Sequence, residues 1–340
     1  MTSDATPDPA PVLDLLAAFR RSKAMFAGVT LGIFDALAAG PKAAPALAAE
    51  LGAHPDALAR LLDALVGLRL LVRDPAGYAN TPTATAYLTQ ASPLRLTGYL
   101  RFTDEVLWKL WGDLAGAVRA GDAGWQRTFG WDGPVFDNIF HTDHLRREFL
   151  MGMHGFGLIS SPRVVAAFDL SGYRRLADLG GATGHLAVAA CRRYPHLRAV
   201  VLDLPDVVPL ARELVPATEV ADRVKVTAGD FFADPLPAAD LYALGRVLHD
   251  WSEDKIMALL RKAHAALPPG GAVLVAEKLV ADDRAGPDWA QMQDLNMLLV
   301  TEGKERTLGE YAGLLRAAGF EEVDGRRTDA PVDAVLAVKR

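Results

Sequence analysis

The sequence predicts an α/β protein: a doubly wound, largely parallel sheet with one antiparallel terminal strand, preceded by a helical domain. Three observations carry this. From Tyr173 onward, short apolar runs alternate with helical segments, the pattern of βαβ units. The last two predicted strands are joined only by Arg326 to Asp333, too short for a crossover helix, so they pair as an antiparallel hairpin. From Val12 to about Ile159 the pattern is almost entirely helical, with one hairpin.

The acidic, proline-rich start, MTSDATPDPAP, reads as a disordered tail over residues 1–11. Val12–Leu37 has amphipathic helical spacing (Leu15, Leu16, Phe19, Met25, Phe26, Val29). Ala43–Leu51 and Pro55–Leu68 are two short helices, and LLVRDPAGYANT is a strand, a turn and a strand. Helix, turn, helix and hairpin follow the plan of a winged helix, assigned to residues 12–94. Helices at Arg95–Ala120 and Pro134–Ile159 make a linker, residues 95–162, that contributes to a substrate pocket. The sheet domain covers residues 163–340, with strands at Arg175–Leu179, Ala199–Asp203, Val224–Ala228, Asp240–Leu248, Ala272–Glu277, Glu321–Gly325 and Ala334–Val338. Helices are expected at Leu186–Tyr194, Val207–Leu214, Ser252–Ala266, Pro287–Leu299 and Leu308–Ala318. A parallel sheet closed by an antiparallel terminal strand favours the methyltransferase variant of the doubly wound fold over a nicotinamide domain.

Of the 340 residues, 51% are hydrophobic, enough for one large core or two modest ones. The net charge of -6 gives no basic domain for nucleic acid. One cysteine, Cys191, precludes an intrachain disulfide and fits a reducing compartment. No signal peptide or bilayer-spanning run is present, so a soluble, cytoplasmic protein is expected.

Glycines 180, 181 and 184 follow the strand that ends at Leu179. Lacking side chains, they let the backbone turn sharply and approach a ligand. The spacing does not fit a dinucleotide G-x-G-x-x-G. It fits the D-x-G-x-G-x-G loop of S-adenosylmethionine enzymes, with Ala182 for the middle glycine; a purely structural βα turn is the alternative. Asp203 ends the next strand, where a carboxylate can accept both ribose hydroxyls or cap a helix. Asp230 and Phe231, at the end of the third strand, suit an adenine ring or a simple turn.

With these residues placed, the chain resembles the plant-type small-molecule O-methyltransferases, above all the acetylserotonin (hydroxyindole) branch. AFDLS, DLGGATG, LDLP, GDFF, DPLPAADLY, RVLHDW, LNMLLVTEGKERT and DAVLAVK carry the resemblance in that order. It implies an N-terminal dimerisation domain, a homodimer, a small aromatic substrate and S-adenosylmethionine as cofactor. It further implies that Asp203, Leu204, Asp230, Phe231, Arg246 and Phe140 contact the cofactor beside the 180–184 loop. His249 would be the base, flanked by Glu277 and Glu305; Asp250, Asn296, Met292 and Met153 would meet the substrate. The chain departs from the branch at Val300, where glutamine is usual, and at Gly157, where tryptophan is usual. Both departures leave open whether acetylserotonin itself is the acceptor.

These residue types suit methyl transfer to oxygen. A phenol has pKa about 10 and an imidazole about 6.5, so full prior deprotonation is uphill by roughly 4–5 kcal/mol. A positioned histidine that takes the proton as the new bond forms is worth about 10²–10⁴ in rate. Glu277, at the end of the next strand, can fix the imidazole tautomer. The rings of Phe140, Phe156 and Trp251 can face a sulfonium cation. Asn296 interrupts an apolar helical stripe (Met292, Leu295, Leu299, Val300) and needs a ligand or a structural partner. His141, His144 and His154 do not share one helical face, and no metal is expected. Two other readings stand beside this one: a cofactor-binding relative with a different reaction, such as N-methylation, and a winged-helix DNA-binding regulator.

Overall fold

The structure, a computed structural model, describes residues 7–340. Residues 1–6 of the predicted tail lie outside the described residues; the tail's end is corrected, because a helix already begins at Ala10 behind Pro9. The chain divides into two compact units, one through Glu105 and one from Val106. The predicted boundary at residue 94 falls inside the first unit. The helix Thr97–Phe102 packs on the helix Ala10–Thr30 and stays with the first unit. Residues 95–162, the predicted linker, are divided between the two units at Glu105.

In the first unit, the predicted Val12–Leu37 helix is two helices, Ala10–Thr30 and Ile33–Ala36, parted at Gly32 with a left-handed φ of 75°. Ala44–Leu51 and Pro55–Gly67 follow, then strands β1 (Leu71–Asp74) and β2 (Gly77–Asn80) in an antiparallel hairpin. Leu58, Leu62 and Leu65, at helical spacing, seal this core with Phe34 and Leu47.

In the second unit, β3 (Arg175–Leu179), β4 (Arg198–Asp203), β5 (Val224–Ala228), β6 (Leu241–Gly245), β7 (Ala272–Glu277), β8 (Glu322–Arg326) and β9 (Asp333–Val338) form one sheet. Its order is β5-β4-β3-β6-β7-β9-β8. β9 runs antiparallel to both neighbours and lies between β7 and β8, so the reversed strand is not the edge. Along β6, Leu241 and Ala243 enter one face's core while Tyr242 and Leu244 enter the other's. The chain winds outward through β4 and β5, then returns to β6 on the other side of β3. That reversal opens a crevice at the carboxyl ends of β3 and β6, the place where doubly wound sheets bind ligands.

Two elements differ from expectation for physical reasons. The strand predicted through Leu248 stops at Gly245, because Arg246 takes a left-handed φ of 56°. A 3₁₀ turn, Leu248–Asp250, then carries His249. The helix predicted to end at Ile159 instead runs Asp143–Ala167, through Pro162. An interior proline costs about 3 kcal/mol. Burial of Val164, Val165 and their neighbours against the sheet offsets it.

Candidate active site

At the end of β3 the backbone, not the side chains, makes the surface. Gly180 and Gly184 have φ of 68° and 80°. A Cβ on Gly180 would stand 2.9 Å from Val247 Cγ2 and 3.3 Å from Phe231 Cε1; one on Gly181 would stand 2.6 Å from the carboxyl carbon of Asp178. The loop is thus packed from beneath, and only glycine fits. Ala182 takes φ 48° and donates its N–H to Asp203 Oδ2 at 2.7 Å, while Leu204 N–H donates to Oδ1 at 2.7 Å. Burial pushes the Asp203 carboxyl up to about 6, against the pull of these two N–H groups. Asp178, fully buried beneath the loop, is pushed up to about 7 by burial and accepts from Ala187 N–H.

Around this loop stand aromatic walls. Phe140 packs in one cluster with Ala182, Leu204, Leu150 and Met151, and Phe231 lies against Phe232 at 4.7 Å. Asp230 is half-buried, its Oδ1 accepting from Phe232 N–H. On the β6 side, the Arg246 guanidinium rests over the Phe156 ring at 5.2 Å and has no carboxylate partner among the described residues. The Arg246 backbone conformation costs of order 1–3 kcal/mol, and its positive charge lowers the Asp250 carboxyl. The crevice therefore offers a carboxylate toward β4 and a cation toward β6, with an approachable backbone between them.

The third part lies past β6. Glu277 ends β7; its Oε1 accepts from Val247 N–H and Leu248 N–H, each at 2.9 Å, and so holds the turn that presents His249. His249 Nδ1 is 2.7 Å from Glu305 Oε1 and 3.3 Å from Glu277 Oε2. Nε2 is 3.6 Å from Asp250 Oδ1. Glu305 reaches the ring because its loop presses on the turn: a Cβ on Gly303 would stand 2.1 Å from His249 O. Burial alone would push the imidazole down, but Glu277, Glu305 and Asp250 outweigh it and hold His249 up at about 10. Burial raises Asp250 to about 6, opposed by His249, and Glu277 to about 7. Glu277 Oε2 and Glu305 Oε2 have no hydrogen-bond partner among the described residues. His249, Glu277 and Glu305 also offer ligand atoms within 4.8 Å of one another. The 2.7 Å ring-to-carboxylate spacing is that of a hydrogen bond.

The structure thus gathers His249, Glu277, Glu305 and Asp250, and separately Gly180, Gly181, Gly184, Asp203, Leu204, Phe140 and Phe231. On the substrate side the result is mixed. Met153 lines a cavity beside Arg246. Asn296 is buried, but its Oδ1 already accepts from Trp111 Nε1 at 3.0 Å, a structural partner. Met292 is 49% exposed and breaks the predicted apolar stripe. Trp251 packs edge-on against Phe232 at 5.1 Å and carries Lys255 over its ring at 4.8 Å. One of its faces is therefore already occupied by a cation from this chain, as is that of Phe156. His185, Ser161 and Thr183 were not singled out from the sequence, although His185 directly follows Gly184; their pairings bridge distant segments and leave no periodic signal.

Residues 111–321 match the O-methyltransferase domain family, and residues 13–90 match the O-methyltransferase dimerisation domain. The chain belongs to the O-methyltransferase family. This O-methyltransferase is 41% identical to acetylserotonin O-methyltransferase of Mus musculus molossinus over 96% of its own length and 88% of the relative's. It is also 41% identical to that of Gallus gallus over 94% of each chain. In fold it is similar to human N-acetylserotonin methyltransferase in complex with SAM, with TM-score 0.93, 37% identity, and coverage of 100% and 99% of the two chains. The mitomycin 7-O-methyltransferase MmcR is similar at TM-score 0.84 and 30% identity, over 97% of each chain. The sheet is that of the class I methyltransferases. The helices Ala44–Leu51 and Pro55–Gly67 and the β1–β2 hairpin lie within the dimerisation-domain match.

Proposed function

We propose that His249 is the general base by which this S-adenosylmethionine-dependent O-methyltransferase takes the proton from the hydroxyl of a small aromatic acceptor. One observation carries the reading: two buried carboxylates face Nδ1, so the Nδ1 proton is held there and Nε2 is left as the acceptor. S-adenosylmethionine supplies a methyl group activated on a sulfonium. Asp203 would hold ribose hydroxyls, Phe140, Asp230 and Phe231 the adenine end, and Arg246 the carboxylate. The glycine cradle fits this, since any Cβ there would collide with its own neighbours.

His249 receives the proton at Nε2, and Glu305 and Glu277 stabilise the imidazolium that results. Glu277, Glu305 and Asp250 raise the imidazole toward the phenol's own range, so the transfer is less uphill than to a free imidazole. The cost reappears as pH dependence. The ring must first be neutral, and the neutral fraction rises with pH toward about 10.

Asp250, beside Nε2, and Met153 are the acceptor contacts this geometry supports best. Asn296 would act through its remaining amide hydrogens, and Met292 only where the acceptor reaches the surface. The relatives' substrate, acetylserotonin, defines the first class to assay: flat, hydroxylated aromatics. O-methylation is favoured over N-methylation because an amine nucleophile needs no such buried base.

A homodimer is inferred from the helix Ala10–Thr30. Val12, Leu13, Leu15, Leu16 and Phe19 are all exposed on it, and the dimerisation-domain match, which begins at Leu13, spans the last four. The helix Pro55–Gly67 turns its leucines inward and exposes Asp56, Arg60 and Asp63, a poor surface for DNA phosphate. No helix among the described residues is long and apolar enough to cross a membrane. The single buried Cys191 suits the reducing cytoplasm in which we place the enzyme.

The test is methyl transfer from labelled S-adenosylmethionine to a panel of hydroxylated aromatics. His249→Ala is expected to lose about 10²–10⁴ in kcat while S-adenosylhomocysteine affinity stays unchanged. Undiminished turnover in the variant rejects the base.

A further inference from the structure

Behind Arg246 lies a cavity of about 310 Å³, open mouth included, bounded by the helix Asp143–Ala167, the start of the next helix and the ends of β6 and β7. Its walls are mostly apolar: Met153, Phe156, Val164, Leu186, Ala276 and Val332. Polarity enters from Arg246, Ser160, Ser161 and His185. His185 and Ser161 are hydrogen-bonded, Nδ1 to Oγ, at 2.9 Å. The imidazole stands where any side chain at residue 157 would go. A Cβ on Gly157 would lie 2.2 Å from His185 Cγ and 2.4 Å from Nδ1. Glycine at 157 and histidine at 185 are therefore one packing unit, in which the ring fills the space the glycine leaves.

The position of this unit assigns it a ligand. It sits where the sheet reverses between β3 and β6, directly after the glycine loop. Among the lining residues, Arg246 brings the positive charge, its guanidinium over the Phe156 ring. A donor whose ribose meets Asp203 on the β4 side must extend its amino-acid end toward β6, into this cavity. Burial, with His154 and Arg246 nearby, pushes the His185 ring down to about 3. It is thus uncharged beside the guanidinium and does not compete with it for a carboxylate.

We propose that His185, braced by Ser161 and admitted by Gly157, is a donor-binding residue that closes the subsite for the carboxylate and ammonium end of S-adenosylmethionine. The proposal rests on the donor reading above.

The experiment is calorimetric titration with S-adenosylhomocysteine, paired with initial rates in which donor and acceptor are varied separately. For His185→Ala, the Kd for S-adenosylhomocysteine and the KM for the donor are expected to rise about tenfold, a loss of one charge-assisted or polar contact. The kcat at saturating donor and the acceptor KM should stay within twofold. His185→Asn, which keeps a neutral polar group near Ser161, should recover part of the loss and serves also if His185→Ala does not fold. Gly157→Ala should weaken donor binding in the wild-type background, by driving the ring into the cavity. It should add nothing in the His185→Ala background, where the ring is gone. Wild type that binds S-adenosylhomocysteine beside variants that bind it equally well overturns the proposal and leaves the donor reading intact. A rise in acceptor KM alone overturns it too, making the cavity an acceptor pocket. Wild type that fails to bind removes the donor reading and the proposal together.

Discussion

Asp203 and Glu277 sit at the same edge of one sheet, at the ends of β4 and β7, and each accepts two backbone N–H groups. The difference lies in how those bonds are spread. Asp203 takes one N–H on each oxygen, and each oxygen keeps a lone pair for a ligand. Glu277 takes both on Oε1, which leaves Oε2 unbonded and 3.3 Å from a buried imidazole. The first arrangement fixes a shape and binds. The second leaves a negative charge facing histidine in a site closed to water, where charges interact strongly. The same chemical group, at equivalent topological positions, becomes a binding residue or an electrostatic one according to where the backbone donors point.

That contrast can be broken from either side. The largest effect is expected from Gly303→Ala. The added Cβ meets His249 O, so the loop that carries Glu305 must retreat. A misplacement of about 1 Å at a reacting centre can cost roughly 10²-fold in kcat. Donor affinity should hold, since the binding side is untouched; separate measurement of kcat and S-adenosylhomocysteine Kd checks this. Next comes Asp203→Asn. Loss of the charge removes charge-assisted bonds, and the donor KM should rise by roughly 10-fold, with little change in kcat at saturation. An equal fall in kcat would show that Asp203 is not confined to binding.

The smallest but most telling change is Glu277→Gln. Glu305 still holds Nδ1 at 2.7 Å, so the tautomer survives while one negative charge leaves. The carboxylates raise the His249 pKa, so removing one lowers it. The acid limb of the kcat/KM profile should therefore move to lower pH, by about one unit or more. A limb that stays in place would detach Glu277 from the base.

Much of this was legible in the chain. Strand positions along the sheet were readable because both faces are buried, which forces continuous apolar runs such as LYALG and AVLVAE. The glycine loop and Asp203 were readable because their spacing around βα turns is set locally. The helices of residues 95–167 were misdrawn: the first predicted segment contains several short helices, and the second passes through Pro162, both governed by packing rather than propensity. The exposure of Met292 was not readable, because an apolar stripe does not say which of its ends stays covered.

By itself, then, the sequence settled the αβ alternation, the reversed last strand and which titratable groups terminate which strands. Each of these depends on neighbours in the chain or on a repeating pattern. The family resemblance already implied that Glu305 flanks His249; only the tertiary structure decided that Trp111 takes Asn296 and that His185 fills the space beside Gly157. Those pairings arise from close approach between segments far apart in sequence. They are chosen by excluded volume and by the need of buried polar groups for partners, and neither leaves a mark in local residue order.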